Sequence, residues 1–560
     1  MDDYGRYIEQ LKAFNKKGDT LQVVRSDENS WTISGADEMT SLSYFVNDSY
    51  DDFLTKQVIF EPAGSDIQKD TVYVINNHCF LGYFGEMKNI PYELTILHPA
   101  SMYGSTALID LDKSPTTDKF ITSSYNQLVD NPFMYNVPDT AMIRVGSSTV
   151  LISVYSPRKL VTAGSLAKKL DILLKAQTKY LGGKLPVEKY AFIIYLDNQG
   201  GPSGHIGALE HSYSSLYYLQ EGNSGMLSSF FVDAAAHEFF HIITPLSIHS
   251  EEIQDFDFIH PKMSEHLWLY EGSTEYHAHM VQEKYGLITP KQLLNTISSM
   301  ITASRTRYID TLPFTVMSRG VLVQYKSQYE NVYQKGALIA MCIDIRLLQL
   351  SKGKYGFMNL IQDLSAKYGK QKAFQDEALF DEIGKLTYPE IEEFLKTYVS
   401  GNKPLLLEQV FSSVGANFQA TVETKDSVFT MGQEGYGFLG YNKETKRFTI
   451  ADISGMNAFG KALDYHNGDE IISINGVDFN RSGIYNFFRN LQDSSKVGEE
   501  FTVKVMRKDE QGADQVVELK ANMVKLPKIK YNVLDFSDTP TPEQLALRNE
   551  WLKPNGIQVN

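Results

Sequence analysis

The chain has 560 residues, of which 42% are hydrophobic, 22% charged and 12% aromatic, with a formal net charge of −15 at pH 7. This is the composition of a folded globular protein of several domains, which excludes a disordered or fibrous chain. The acidic balance excludes an electrostatic nucleic-acid binder, because phosphates would be repelled.

Taken in chain order, the first residues, MDDYGRYIEQ, have no signal-peptide pattern. Short β-branched and aromatic runs follow: TLQVVR, SWTIS, SLSYFV, QVIFEP, TVYVIN and STVLISVY. Gly, Asp, Asn and Ser punctuate them, which predicts an antiparallel sheet domain over residues 1–157. Leu166, Leu170, Leu173, Leu174 and Tyr180 then fall near helical spacing. KYAFIIYL reads as a strand and DNQGGPSGH as a loop, and most segments up to 405 read as helices, among them SSFFVDAAAHEFFHII from Ser228 to Ile243. Strands return in a third region, 406–525, with GIYNFFRNLQ as a helix between them and EFTVKVMRK and QVVELKA as a closing pair. A tail, 526–560, holds one short helix with Thr541 as N-cap, Pro542 at N1 and Gln544 completing a capping box. The fold class is multidomain α+β. No apolar run reaches the ~18 residues of a membrane span. Cys79 and Cys342 lie in apolar runs and read as buried thiols, not a disulfide framework.

The stretch DAAAHEFFHIITP, Asp233 to Pro245, concentrates the chemistry. On a helix, positions i and i+4 lie one above the other, so His237 and His241 present two imidazoles to one point. Glu238 is turned by about 100° from His237 and can take a proton from water at a metal's open position. That is the mechanical content of an HExxH zinc motif. A core helix with hydrogen-bonded histidines is the alternative reading.

Catalytic zinc takes a third protein ligand and leaves one position open. Glu271, in HLWLYEGSTEYHAH, is preferred because helix-borne ligands are held rigidly. His249, His260 and His266 are its competitors. Glu275 lies one turn beyond Glu271 and can accept the spare N–H of a ligand imidazole. A solvated helix acid is the other reading of Glu275.

HEFFH, then LWLYEG, then a late segment GYGFLGY with HNGDEIISINGVDF resembles metallopeptidase family sixty-one, the glycyl aminopeptidases. These belong to the gluzincins, with the aminopeptidase N and leukotriene hydrolase enzymes. The resemblance covers nearly the whole chain. It implies an N-terminal β domain lacking its first strands here, a mostly helical thermolysin-like zinc peptidase domain over 158–405, and a PDZ-like domain over 406–525. It implies one Zn²⁺ per chain on His237, His241 and Glu271. GALEHS resembles the family's G-x-x-E-H segment, Gly207 to His211, and is similar to the exopeptidase strand of aminopeptidase N, whose glutamate binds the substrate's α-amine; that points to Glu210, with Gly207 beside it. A carboxylate near zinc can pair with an ammonium and fix the peptide's N-terminus. VYQKGAL looks like a Y-x-K-G segment whose tyrosine donates to the oxyanion, which points to Tyr333. In the PDZ-like region a loop near Gly435 to Gly440 would capture a C-terminal carboxylate.

Two departures stand out. Relatives follow the zinc helix with W-N-x-K-R-x-R-P, where this chain has IITPLSIHSEEI. The opening residues also match a part of the N-terminal domain some way in from its start. The expected location is the periplasm or cell envelope of a Gram-negative bacterium, with a signal peptide outside this sequence. The expected activity is release of small N-terminal residues, Gly or Ala, from peptides with a free N-terminus. The alternatives are a zinc endopeptidase using the same site, and a PDZ-type peptide-binding protein with a non-catalytic metal site.

Overall fold

The computed structural model describes residues 3–554, except 56, 86, 223, 434–436, 443, 480–483 and 510. Backbone contacts divide the chain into two compact units, Met1–Asn417 with Asp535–Asn560, and Phe418–Leu534. These divisions differ from the expected ones at 406 and 526. Helix Leu407–Ser413 belongs to the first unit. Leu526–Phe536, expected in the tail, is a strand paired with Ala416–Val428. Its KIKY segment alternates charged and apolar residues, the period of a strand.

In the first unit the chain begins with Ile8–Asn15 between Thr20–Leu21 and Met39–Val46, all antiparallel. The run QVIFEP is not a strand. Residues 57–60 are irregular, and Glu61–Ala63 is a single 3-10 turn with Pro62 inside it. Proline has no N–H to give a ladder, so a proline-bearing run makes a poor strand.

A five-stranded mixed sheet then forms the platform for the site. Its order is Thr140–Val145, Ser148–Tyr155, Lys189–Asp197, Ser214–Gln220 and, at the edge, Gly207–Glu210. The middle three strands are parallel and the two outer ones antiparallel. KYAFIIYLD is buried along almost its whole length, as a strand covered on both faces must be.

The helix Ser224–Phe240 lies on one face of this sheet. Phe231 and Phe239 meet Phe192, Tyr190 and Tyr217 edge-on or stacked, with ring centroids 5.0–6.3 Å apart. Helices Ser273–Lys284, Pro290–Arg307 and Asn331–Leu350 follow. The C-terminal helix Pro542–Leu552 has its capping box, Thr541 accepting from the Gln544 N–H. It buries Trp551 in the same unit, where the indole N–H donates to the Tyr276 hydroxyl at 2.9 Å. No helix among the described residues is long and apolar enough to cross a membrane.

The second unit is a sheet in the order Leu439–Asn442, Arg447–Ile450, Glu470–Ile474, Glu500–Lys508 and Asp514–Asn522. Phe438, Phe459, Ile471, Phe501 and Val503 are among its core residues. EFTVKVMRK pairs in full register with its partner, from Glu500 opposite Asn522 to Lys508 opposite Asp514. Of the loop expected at Gly435 to Gly440, Gly435 and Tyr436 lie outside the described residues.

Candidate metal centre and active site

The motif helix ends at Phe240, three residues short of the expected Ile243, and His241 opens a run of turns. The N–H groups of His241, Ile242 and Ile243 bond to the carbonyls of Glu238, Phe239 and Phe240, three residues back, which tightens the chain into turns there. The two histidines still converge, with Nε2 atoms 3.3 Å apart. Each ring is oriented from behind. His237 Nδ1 donates to Glu275 Oε2 at 2.8 Å, and His241 Nδ1 donates to the Thr244 carbonyl at 2.8 Å. Those bonds set a tautomer in which both Nε2 atoms carry lone pairs toward each other.

The third donor is Glu271, with Oε2 3.2 Å from His237 Nε2 and 3.7 Å from His241 Nε2. It does not sit on a regular α-helix as expected. Trp268–Gly272 is a π-helical turn that leads into Ser273–Lys284, a local widening common at functional sites. Two glycines explain its placement. A Cβ on Gly272 would lie 2.3 Å from the Gly336 carbonyl carbon, and one on Gly336 would lie 2.8 Å from Gly272 Cα. The glycines of LWLYEG and YQKG thus let two backbones touch, which brings Glu271 and Tyr333 to one place.

The competing histidines are engaged elsewhere. His266 accepts from the Trp268 indole and bonds the Asp376 carbonyl. His249 Nδ1 bonds the Pro245 carbonyl, and the His260 side chain is 83% exposed.

The donor set fits a tetrahedral zinc. Bonds of about 2.0–2.1 Å at tetrahedral angles place ligand atoms about 3.3 Å apart, and the three pairs here are at 3.2, 3.3 and 3.7 Å. Burial pushes His241 down to about 4, so it is a neutral ligand at pH 7. Burial works against protonated His237 too, but without a metal its hydrogen bonds to Glu271 and Glu275 outweigh burial and raise its pKa; a metal ion at Nε2 would take that proton's place. Burial opposes ionisation of Glu275, yet its bonds to His237 and His279 hold it well below the usual carboxylate range. The centre therefore favours positive charge.

Glu238 is buried, and its Oε2 has no hydrogen-bond partner among the described residues. Burial, with Glu271 and Glu275 adding to it against the pull of His237, pushes its carboxyl up to about 7. Glu210 ends the edge strand, with ligand atoms of Glu210, Glu238 and His241 all within 4.8 Å of one another. Its pKa is raised, first by burial and then by Glu271 and Glu238. Tyr333 lies on the helix Asn331–Leu350, its ring centroid 5.6 Å from that of His237. Burial and Glu271 raise its pKa, so it stays a protonated phenol that can donate. Gly207 opens the edge strand, where a Cβ would meet the Phe60 ring at 2.8 Å.

Sequence reasoning missed His279, whose Nε2 is 3.1 Å from Glu275 Oε1, and Thr274, whose hydroxyl is 3.4 Å from His237 Nε2. His279 stands four residues after Glu275, a helical spacing that would have marked it.

Comparison with known proteins agrees with this geometry. Residues 1–136 match the Peptidase M61 N-terminal domain, and residues 230–339 match the M61 glycyl aminopeptidase model. No curated protein matches the sequence. An aminopeptidase N family protein from Idiomarina loihiensis shares the fold, with a TM-score of 0.75 and 19% identity over 99% of this chain and 92% of the other. An M1 zinc metallopeptidase from Deinococcus radiodurans is a remoter neighbour, with a TM-score of 0.44 and 14% identity over 71% of this chain and 87% of the other. The chain is a zinc metallopeptidase, a hydrolase of peptide bonds. Residues 1–136 and 230–339 match the M61 N-terminal and glycyl aminopeptidase domains in that order.

Proposed function

We propose that this metallopeptidase is an aminopeptidase that releases small N-terminal residues from peptides, with one Zn²⁺ on His237, His241 and Glu271. The observation that carries the exopeptidase reading is Glu210. It is a third carboxylate within 4.8 Å of the base Glu238 and the donor His241, among groups that raise its pKa. Such a carboxylate invites a cation, and the ammonium of a peptide N-terminus supplies one. Held there, the first peptide bond falls at the metal and internal bonds do not.

Zinc when bound supplies Lewis acidity, which acidifies water and polarises a carbonyl. Glu238 takes the proton of the attacking water and passes it to the leaving amine. Its buried Oε2 has no hydrogen-bond partner among the described residues, so it is open to that proton. Tyr333 donates its phenolic hydrogen to the oxygen that gains charge, a contribution of about 3 kcal/mol for such a donor. Glu275 holds His237 in the orientation and tautomer that present Nε2. The preference for Gly or Ala first is supported by the glycyl aminopeptidase family match. The Phe418–Leu534 unit is proposed as a PDZ-like module that takes a C-terminal peptide as an added strand.

Glu210→Gln tests the reading. KM for a free peptide should rise by about tenfold or more while zinc content stays at one per chain. An unchanged KM would remove Glu210 from amine binding.

A further inference from the structure

The edge strand Gly207–Glu210 has one sheet neighbour, Ser214–Gln220. Phe60 and Glu61 come from the N-terminal region and press on the loop and strand that lead to Glu210.

Glu61 is 1% exposed. Its Oε1 accepts from the Ser203 backbone N–H at 2.8 Å, and its Oε2 accepts from the Ser203 hydroxyl. Both oxygens are thus spent on one residue of the loop before the strand. A Cβ on Gly201 would lie 2.2 Å from Glu61 Oε1, so the loop backbone closes directly over the carboxylate. Burying a carboxylate is costly unless hydrogen bonds replace its water. The loop therefore cannot drift without exposing an unpaired charge. Four residues further on, the Phe60 ring fills the space that a side chain at position 207 would take. The far end of the strand is held as well. Asp130, also from the N-terminal region, accepts from the Ser212 N–H at 3.1 Å and lies 3.3 Å from His211 Nδ1.

We infer that Phe60 and Glu61 are positioning residues for peptide hydrolysis: they clamp the loop and strand that carry Glu210, and so set where the substrate's N-terminus sits. This rests on the reading of Glu210 as the partner of the substrate amine. It gives the segment QVIFEP a role in selectivity rather than in a sheet. It also assigns Gly207 a steric reason, since the residue must be small to admit Phe60.

The test uses the full-length zinc enzyme and one glycine-first peptide, with its N-terminus free or acetylated. Variants are Glu61→Gln, Gly207→Ala and the double variant Phe60→Leu with Gly207→Ala. Glu61→Gln and Gly207→Ala should each raise KM for the free peptide about tenfold with kcat within about threefold, since displacement of this kind weakens alignment. The preference for free over acetylated peptide should fall by a similar factor. Zinc content should hold. Phe60→Leu removes the far edge of the ring, so the double variant should recover most of the KM lost by Gly207→Ala; a merely structural glycine would show no such rescue. Unchanged KM in both single variants would overturn the inference, as would equal loss of kcat with zinc. If Glu61→Gln does not fold, the Phe60 and Gly207 pair decides alone. Wild-type enzyme with no preference for the free peptide would refute the amine reading and this inference together. A wild-type preference that the variants retain would refute only the clamp.

Discussion

Gly336→Ala probes the contact that sets the spacing of Glu271 and Tyr333. The new Cβ would lie 2.8 Å from Gly272 Cα and 3.3 Å from both Gly272 N and Trp268 Cα. Carbon atoms rest at about 3.5–4.0 Å, so the two backbones must part by about 0.7 Å or more. The obstructing atoms are all backbone, and no flexible side chain can yield. Helix propensity favours alanine by about 1 kcal/mol, but overpacking costs about 1–3 kcal/mol, so the net effect on stability is small. The effect on chemistry is larger. Glu271 sits next to Gly272 and Tyr333 lies three residues before Gly336, so the metal donor and the phenol separate by most of that shift. Misplacement near 1 Å costs about 100-fold, and kcat/KM should fall by about 10–100-fold. Steady-state hydrolysis, with zinc content and melting temperature measured in parallel, checks this. Activity within about threefold of wild type would show that the glycine contact does not govern the geometry.

Other outcomes follow from the same site. Glu238→Gln should keep its zinc and lose about 100-fold or more in kcat, because the proton carrier is gone while the donors remain; metal analysis and kcat together check it. Glu275→Gln should weaken zinc retention by about 10–100-fold, measured as metal loss to a competing chelator, because an amide holds His237 less well than the carboxylate at 2.8 Å. Asp66 is 3% exposed, and burial raises its carboxyl to about 6 from 3.8. A raised acid contributes its full stability below the unfolded pKa and loses it as pH climbs through the folded one. Asp66→Asn should therefore lessen the loss of stability between about pH 4 and 6, by up to about 3 kcal/mol, read from urea unfolding at a series of pH values.

What the sequence made legible here was what depends on local periodicity. His237 and His241 are four residues apart, and a helix turns that spacing into a shared point without help from the rest of the fold. The capping box at Thr541 is equally local. Glu271 was found through its motif, but not its π-helical turn, because that turn depends on Gly272 meeting Gly336, 64 residues later. QVIFEP shows the opposite failure. Its β-branched and aromatic residues suggest a strand, yet Phe60 and Glu61 are held by Gly207 and Ser203, whose positions no window of neighbouring residues contains. The helix carrying the motif was expected to reach Ile243, but from His241 the backbone bonds three residues back and the chain turns. The boundaries of the second unit were misplaced because the pairing of Ala416–Val428 with Leu526–Phe536 joins segments about a hundred residues apart.

The most direct measurement is product analysis by mass spectrometry on one short peptide beginning with glycine. It is supplied with a free and with an acetylated N-terminus, each with and without a zinc chelator. The account predicts loss of the first residue from the free peptide alone, abolished by the chelator. Internal cleavage of the acetylated peptide would contradict the exopeptidase assignment, and cleavage that survives metal removal would contradict the zinc centre itself.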